Sequence, residues 1–214
     1  MVDVTYTALV PATETDLITL AEAKVMLGMD PTDTSKDAQI TMLISVYSEW
    51  VSEMCGRTFA KETGVETWRE LYDGRLFLTH WPVAAADVTS VMSAGVDYTG
   101  LYELEERSGK LSNVVQYAPE SSPWEQSVDV TYTGGFTLPD EAPMPLKRAA
   151  ALMIQDDLIR TKQAQTAGIR QISHKEKRVT FFDPNAVLLK TLGAKTPGQQ
   201  AAEALLVQYI RFWV

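Results

Sequence analysis

Few side chains in this 214-residue sequence could do chemistry, and they are scattered. His80 and His174 are its two histidines and Cys55 its one cysteine. Metal sites need donors at short, regular spacings such as His-Glu-x-x-His or Cys-x-x-Cys, and neither histidine nor the cysteine falls in one. His80 stands between Thr79 and Trp81 at an expected strand end, where a packing or surface role accounts for it. His174 lies in a basic run with Lys175, Lys177 and Arg178, which reads as a solvated loop. Cys55 follows Met54 at the end of an apolar helix with no histidine or basic cluster close in sequence to lower its pKa, so it reads as a small buried hydrophobe. A lone cysteine also excludes an intramolecular disulfide.

The acidic residues offer no better constellation. Asp156 and Asp157 sit on a predicted helix, where neighbours point about 100° apart and do not converge on one ligand. Glu103, Glu105 and Glu106 with Arg107 read as an acidic loop at a strand end. Gly134-Gly135 follows a strand without the Gly-x-Gly-x-x-Gly pattern or the lysine of a phosphate cradle, so a positive-φ turn explains it. No catalytic, cofactor-binding or metal residue is assigned, no cofactor is expected, and the chain is not read as an enzyme. Scattered residues could still form a site between the β-insertion and the helices described below, and a small enzyme or ligand-binding module is the alternative.

The elements are more legible than the chemistry. Thr19 followed by Glu22 is a capping box, in which hydroxyl and carboxylate each satisfy an unpaired backbone N–H. It opens a short helix over about 20–27, ended by Gly28 and Pro31. A second helix follows Thr34 or Ser35 with Asp37 in its first turn, where the helix dipole favours negative charge. Ile40, Leu43, Ile44, Tyr47, Val51 and Met54 recur at threes and fours as its apolar face, and Gly56 is placed to end it. A third helix starts near Pro145, with Leu146, Ala150, Met153, Ile154 and Leu158 as a stripe expected to pack on the second.

Between the second and third helices the periodicity changes to alternation. Residues 65–72 and 75–78 flank Asp73-Gly74, a strong hairpin signal because Asp-Gly supplies the positive φ of a primed turn. Short strands are expected over 88–92, 98–104, 111–117 and 128–133. The predicted fold is therefore α+β: a small helical core of short capped helix, long helix and third helix, carrying an inserted antiparallel β-module and a C-terminal extension ending in a helix.

These pieces, in order, resemble the head-tail connector or adaptor proteins of long-tailed double-stranded DNA phages. The likeness rests on Thr19-Leu20-Ala21-Glu22-Ala23-Lys24 with Leu27, the spaced Asp30 and Asp33, and Gly56-Arg57. It continues through Pro82-Val83 with residues 88–91, Val130-Thr131-Tyr132-Thr133-Gly134-Gly135-Phe136, and Pro145-Leu146-Lys147 with Ala149. It covers roughly residues 17–162; Gly28 departs from it, since members often carry Arg there, and the region beyond about Gln165 does not align. The resemblance implies a structural virion protein at the neck, made in the host cytoplasm. It implies a ring of twelve copies between the portal protein and head-closure or tail proteins, acting in completion of DNA packaging and in DNA passage without sequence-specific binding. A different neck component, head closure or tail terminator, is the alternative within the same class.

On that basis the chain divides into an N-terminal extended arm (1–16), an adaptor core (17–162) with the β-insertion at about 65–136, and a C-terminal extension (163–214). The arm alternates over 2–8 and, with no partner expected in its own chain, either pairs with a neighbouring copy or is a frayed terminus. In a ring, the helical core of one copy is expected to meet the β-insertion or arm of the next. The extension ends in Leu205, Leu206, Tyr209, Ile210, Phe212 and Trp213, an apolar concentration too dense for a solvated tail. Burying one such side chain contributes roughly 1.5–3 kcal/mol, and these six are expected to be a portal-docking element, as the resemblance implies for C-terminal tails; the alternative is that this helix folds back onto its own β-module. The net charge of -9 argues against a general affinity for nucleic acid and suits a wall that DNA slides past. No run of about 18 apolar residues exists, so no membrane partner is expected.

Overall fold

The computed structural model describes residues 3–69, 75–113, 127–165, 171–174, 177–180 and 195–210. The fold is α+β, and its described residues divide into two compact units: those within 3–17 and 52–142 in one, those within Ile18–Val51 and Pro143–Ile210 in the other.

The first unit is antiparallel β-structure. Its strands are β1 (Asp3–Val10), β2 (Glu62–Arg69), β3 (Arg75–Phe77), β4 (Val88–Ser93), β5 (Val96–Asp97), β6 (Tyr102–Glu105), β7 (Lys110–Asn113) and β8 (Ser127–Gly134). They form a five-stranded sheet in the order β1-β2-β8-β4-β5 and a three-stranded sheet in the order β3-β7-β6. Alternation places Val128, Val130 and Tyr132 of β8 inward, where they join Trp68, Leu76, Leu78, Val83, Val91 and Leu111 in one core. The N-terminal arm finds its partner within the chain: β1 runs antiparallel to β2, Asp3 opposite Arg69 and Thr7 opposite Val65.

Residues 70–72, which would close the expected hairpin between 65–72 and 75–78, lie outside the described residues. β2 pairs with β1 and β8, and β3 pairs with β7 in the other sheet; the Asp73-Gly74 turn itself lies outside the described residues. β2 buries its even-numbered face, Gly64, Glu66 and Trp68.

The second unit is helical: α1 (Leu20–Met26), α2 (Asp37–Cys55, which belongs to this unit as far as Val51), α3 (Met144–Gln165) and α4 (Pro197–Leu206), with the two-stranded ribbon β9 (Gln171–His174) and β10 (Lys177–Thr180). The capping box of α1 is formed, with Thr19 N–H donating to Glu22 Oε2 at 2.9 Å and Glu22 N–H to Thr19 Oγ1 at 3.1 Å. The turn into α2 is built by Asp30 and Asp33, whose carboxylates accept from the backbone of Thr32 (2.8 Å) and Ser35 (2.9 Å). On α2 the buried positions are Ile40, Leu43, Ile44, Ser48, Val51 and Cys55, while Met54, expected inside, is exposed. The face follows the 3.6-residue period from Ile40 through Ile44, Ser48 and Val51 to Cys55, which takes in a serine and leaves Met54 outside. The most extensive helix-to-helix packing of α3 is on α4, with a smaller contact to α1.

Candidate interaction site

α4 is seated on α3 by specific contacts. Thr196 caps it, accepting from Gln199 N–H at 3.0 Å while donating its own hydroxyl to Asp156 Oδ2 at 3.0 Å. The approach is tight: a Cβ at Gly198 would lie 3.2 Å from Asp156 Cβ and 3.4 Å from the Leu152 carbonyl oxygen. Ala202 and Leu206 are buried, and Lys195 pairs with Glu203 at 2.5 Å across the first turns. Of the six residues expected to dock on the portal, Leu206 is fully buried within the chain. Leu205, Tyr209 and Ile210 remain partly exposed, with Val207 exposed between them. Phe212 and Trp213 lie outside the described residues.

Asp156 and Asp157 diverge, as adjacent helical residues should. Asp156 holds Thr196 and pairs with Arg160 at 3.1 Å. Asp157 faces Tyr47 of α2; burial, then the Asp157 and Asp156 charges, push the Tyr47 hydroxyl above its ordinary range. Both carboxylates are structural.

In the β-unit the sequence reading missed a buried carboxylate. Glu66 is 0% exposed, on the inward face of β2. It accepts from Tyr132 Oη at 2.5 Å, from Thr79 N–H at 2.9 Å and from Thr79 Oγ1 at 2.7 Å, and Tyr132 Oη in turn accepts from His80 N–H at 3.1 Å. Burial first, and then the neighbouring Glu66, push the Tyr132 hydroxyl far above its ordinary range, so it remains a proton donor. His80 stacks on Tyr6 at 4.1 Å between ring centroids and lies 3.5 Å from Glu62 Oε2. The signal in the sequence was weak: a glutamate flanked by Val65 and Thr67 reads as the solvent face of a strand.

The other candidates are also absorbed by packing. Arg57 of the Gly56-Arg57 pair is buried, its guanidinium 3.3 Å from the Trp81 ring centroid and donating to the Trp81 carbonyl. Cys55 is buried, and burial raises its thiol pKa to about 11 despite the opposing pull of Arg57. Gly135 takes φ +104°, the expected turn role, whereas Gly134 is required for space, since a Cβ there would lie 2.0 Å from the His80 carbonyl oxygen. His174, expected in a loop, ends β9 opposite Lys177. Among the described residues no group of three or more His, Cys, Asp or Glu could hold a metal ion, and no helix is long and apolar enough to cross a membrane.

The polar side chains described above serve caps, turns and buried networks. The chain belongs to the head completion protein family, whose model matches residues 16–170. This family match is in accord with the resemblance read from Thr19 to Lys147.

Similar folds occur in solved particles. A chain from the neck of an empty gene transfer agent particle superposes with a TM-score of 0.57 at 12% identity, covering 98% of this chain and 97% of that one. A chain from the virion of the native gene transfer agent particle gives 0.57 at 14%, covering 98% and 96%. A chain from the neck of the native particle, computed with C12 symmetry, gives 0.52 at 14%, covering 98% and 97%. At these identities the likeness is one of fold. No curated protein matches the chain.

Proposed function

We propose that this chain is a head-tail connector: a structural protein of the virion neck that forms a ring of twelve copies between the portal protein and the next head-closure or tail protein. The observation that carries this reading is the family match over residues 16–170 joined to a fold shared, over 98% of the chain, with chains of a gene transfer agent neck and virion. The C12 symmetry applied to one of those necks supports the copy number. The net charge of -9 suits a channel wall that repels the phosphate backbone, so double-stranded DNA passes without being held.

In this reading Leu205, Tyr209 and Ile210, with Phe212 and Trp213 beyond them, dock on the portal, while Leu206 stays buried within the chain. Repetition around a ring multiplies a modest contact through avidity. Electron microscopy of the protein mixed with its cognate portal tests the proposal. A ring of this chain directly beneath the portal is expected; a portal-tail complex lacking it at that level overturns the reading, and density further down the neck favours a head-closure or tail-terminator role instead.

A further inference from the structure

Helices α2 and α3 each leave an exposed stripe, and the two match in spacing and charge. On α2, Met42 (62% exposed) and Val46 (50%) are followed at threes and fours by exposed Glu49 and Glu53. On α3, exposed Arg148 and Ile159 (47% exposed) share one outward face. The step from Met42 to Glu53 and the step from Arg148 to Ile159 are both eleven residues, three helical turns and about 16 Å. None of Glu49, Glu53 and Arg148 is in an ion pair among the described residues.

We infer that these stripes are the two halves of one self-association surface, the outer face of α2 in one copy lying antiparallel on the outer face of α3 in a second copy. Antiparallel alignment sets Met42 against Ile159 and Glu53 against Arg148 at once. Parallel alignment sets methionine against arginine and glutamate against isoleucine, which wastes both pairs. The occupant is a second copy because Met42 and Glu53 of one stripe meet an apolar and an oppositely charged residue, Ile159 and Arg148, on the other, while Glu49 lies opposite Leu152 and adds no pair. Two different patches of one chain meeting in this way make a head-to-tail contact, which closes into a ring if the rotation allows. The inference rests on the ring reading above and names its surface. It places the contact between helices of neighbouring copies, not between helical core and β-insertion or arm.

Charge reversal tests it. Glu53→Arg and Arg148→Glu each set like charges against each other, and each alone should raise the concentration for half-maximal association by roughly tenfold or more. The double variant should restore association. An equimolar mixture of the two single variants should do so equally, since at every contact between unlike chains position 53 of one and position 148 of the other again carry opposite charges. Association is read by analytical ultracentrifugation of the full chain, alone and with the cognate portal protein, with unchanged circular dichroism and Tm as the control for folding. If the unaltered protein forms no multimer in either condition, the ring reading and this surface both fall. If it assembles and the single variants assemble equally well, or the mixture does not recover, this surface is wrong and the ring reading stands.

Discussion

Lys147 Nζ lies 2.6 Å from Glu22 Oε1, joining α3 to the first turn of α1 across 125 residues of sequence. The same carboxylate closes the capping box through its other oxygen, so one glutamate both starts a helix and docks it. Lys24, two residues on, makes the matching link to α2, pairing with Asp37 at 2.6 Å and donating to the Pro31 carbonyl at 3.2 Å. Both lysines are buried, which a lysine tolerates only when paired. Glu22, Lys24 and Lys147, three of the residues that carry the connector resemblance, are thereby accounted for as the struts of the helical unit.

Glu22→Ala should be the costly member of this pair. It removes the cap and leaves the buried Lys147 ammonium without its carboxylate, together about 2–4 kcal/mol. Lys147→Met leaves Glu22 partly solvated and still bonded to Thr19, and should cost less than half as much. A double-mutant cycle in denaturant isolates the pair, and a coupling energy near zero would show that Glu22 acts through the cap alone.

The same pair makes the protein sensitive to acid. Burial pushes the Glu22 carboxyl up, but the Lys147 ammonium and the Thr19 donors together outweigh it, and the net position is below the ordinary carboxylate range. A depressed folded pKa contributes stability that is complete above the unfolded value, about 4.3, and lost as pH falls through the folded one. The Tm of the unaltered chain should therefore fall between pH 5 and pH 3 (about the window set by that carboxylate) more steeply than that of Lys147→Met. Parallel pH profiles would exclude Glu22 as a contributor.

Gly134→Ala should be among the most damaging single changes in the β-unit. The added methyl would meet the His80 carbonyl oxygen at 2.0 Å and Val83 and Tyr132 side-chain atoms at 2.9 Å, and the nearest of these is backbone, with no flexible side chain to move aside. A loss of roughly 3 kcal/mol or more is expected. A Tm within a degree or two of the unaltered chain would mean that the β4–β8 end relaxes freely.

Helices were readable because their signals are local: a cap at Thr19 and Glu22, a glycine at φ +67° after α1, and apolar residues at threes and fours. Strand positions were readable in part, since the run expected over 98–104 is broken by the turn before β6 and β9 falls where a loop was expected; strand partners were not, because pairing depends on which face is buried. Val65 and Thr67 look like the inward face of β2, yet Glu66 is inside, held by Tyr132 and Thr79, residues 66 and 13 positions away. No window of sequence around Glu66 contains both partners. Likewise Ser48 is buried and Met54 exposed on α2, a rotation of the face by one position that hydrophobicity alone misassigns.

The portal-docking reading of the C-terminus is best tested by point substitutions, since deleting residues 199–214 would also remove the buried Ala202 and Leu206. Leu206→Ala should cost about 2–5 kcal/mol as a core truncation. It should weaken portal binding only as far as it loosens α4. Leu205→Asp with Tyr209→Asp alters side chains that are partly exposed, so the Tm should change by no more than a few degrees. That variant should nevertheless fail to join particles bearing the cognate portal, because a desolvated carboxylate would replace each apolar anchor. Sedimentation of portal particles with each variant separates the outcomes: co-sedimentation of the Leu205→Asp, Tyr209→Asp chain at the level of the unaltered protein would remove residues 205 and 209 from the docking surface.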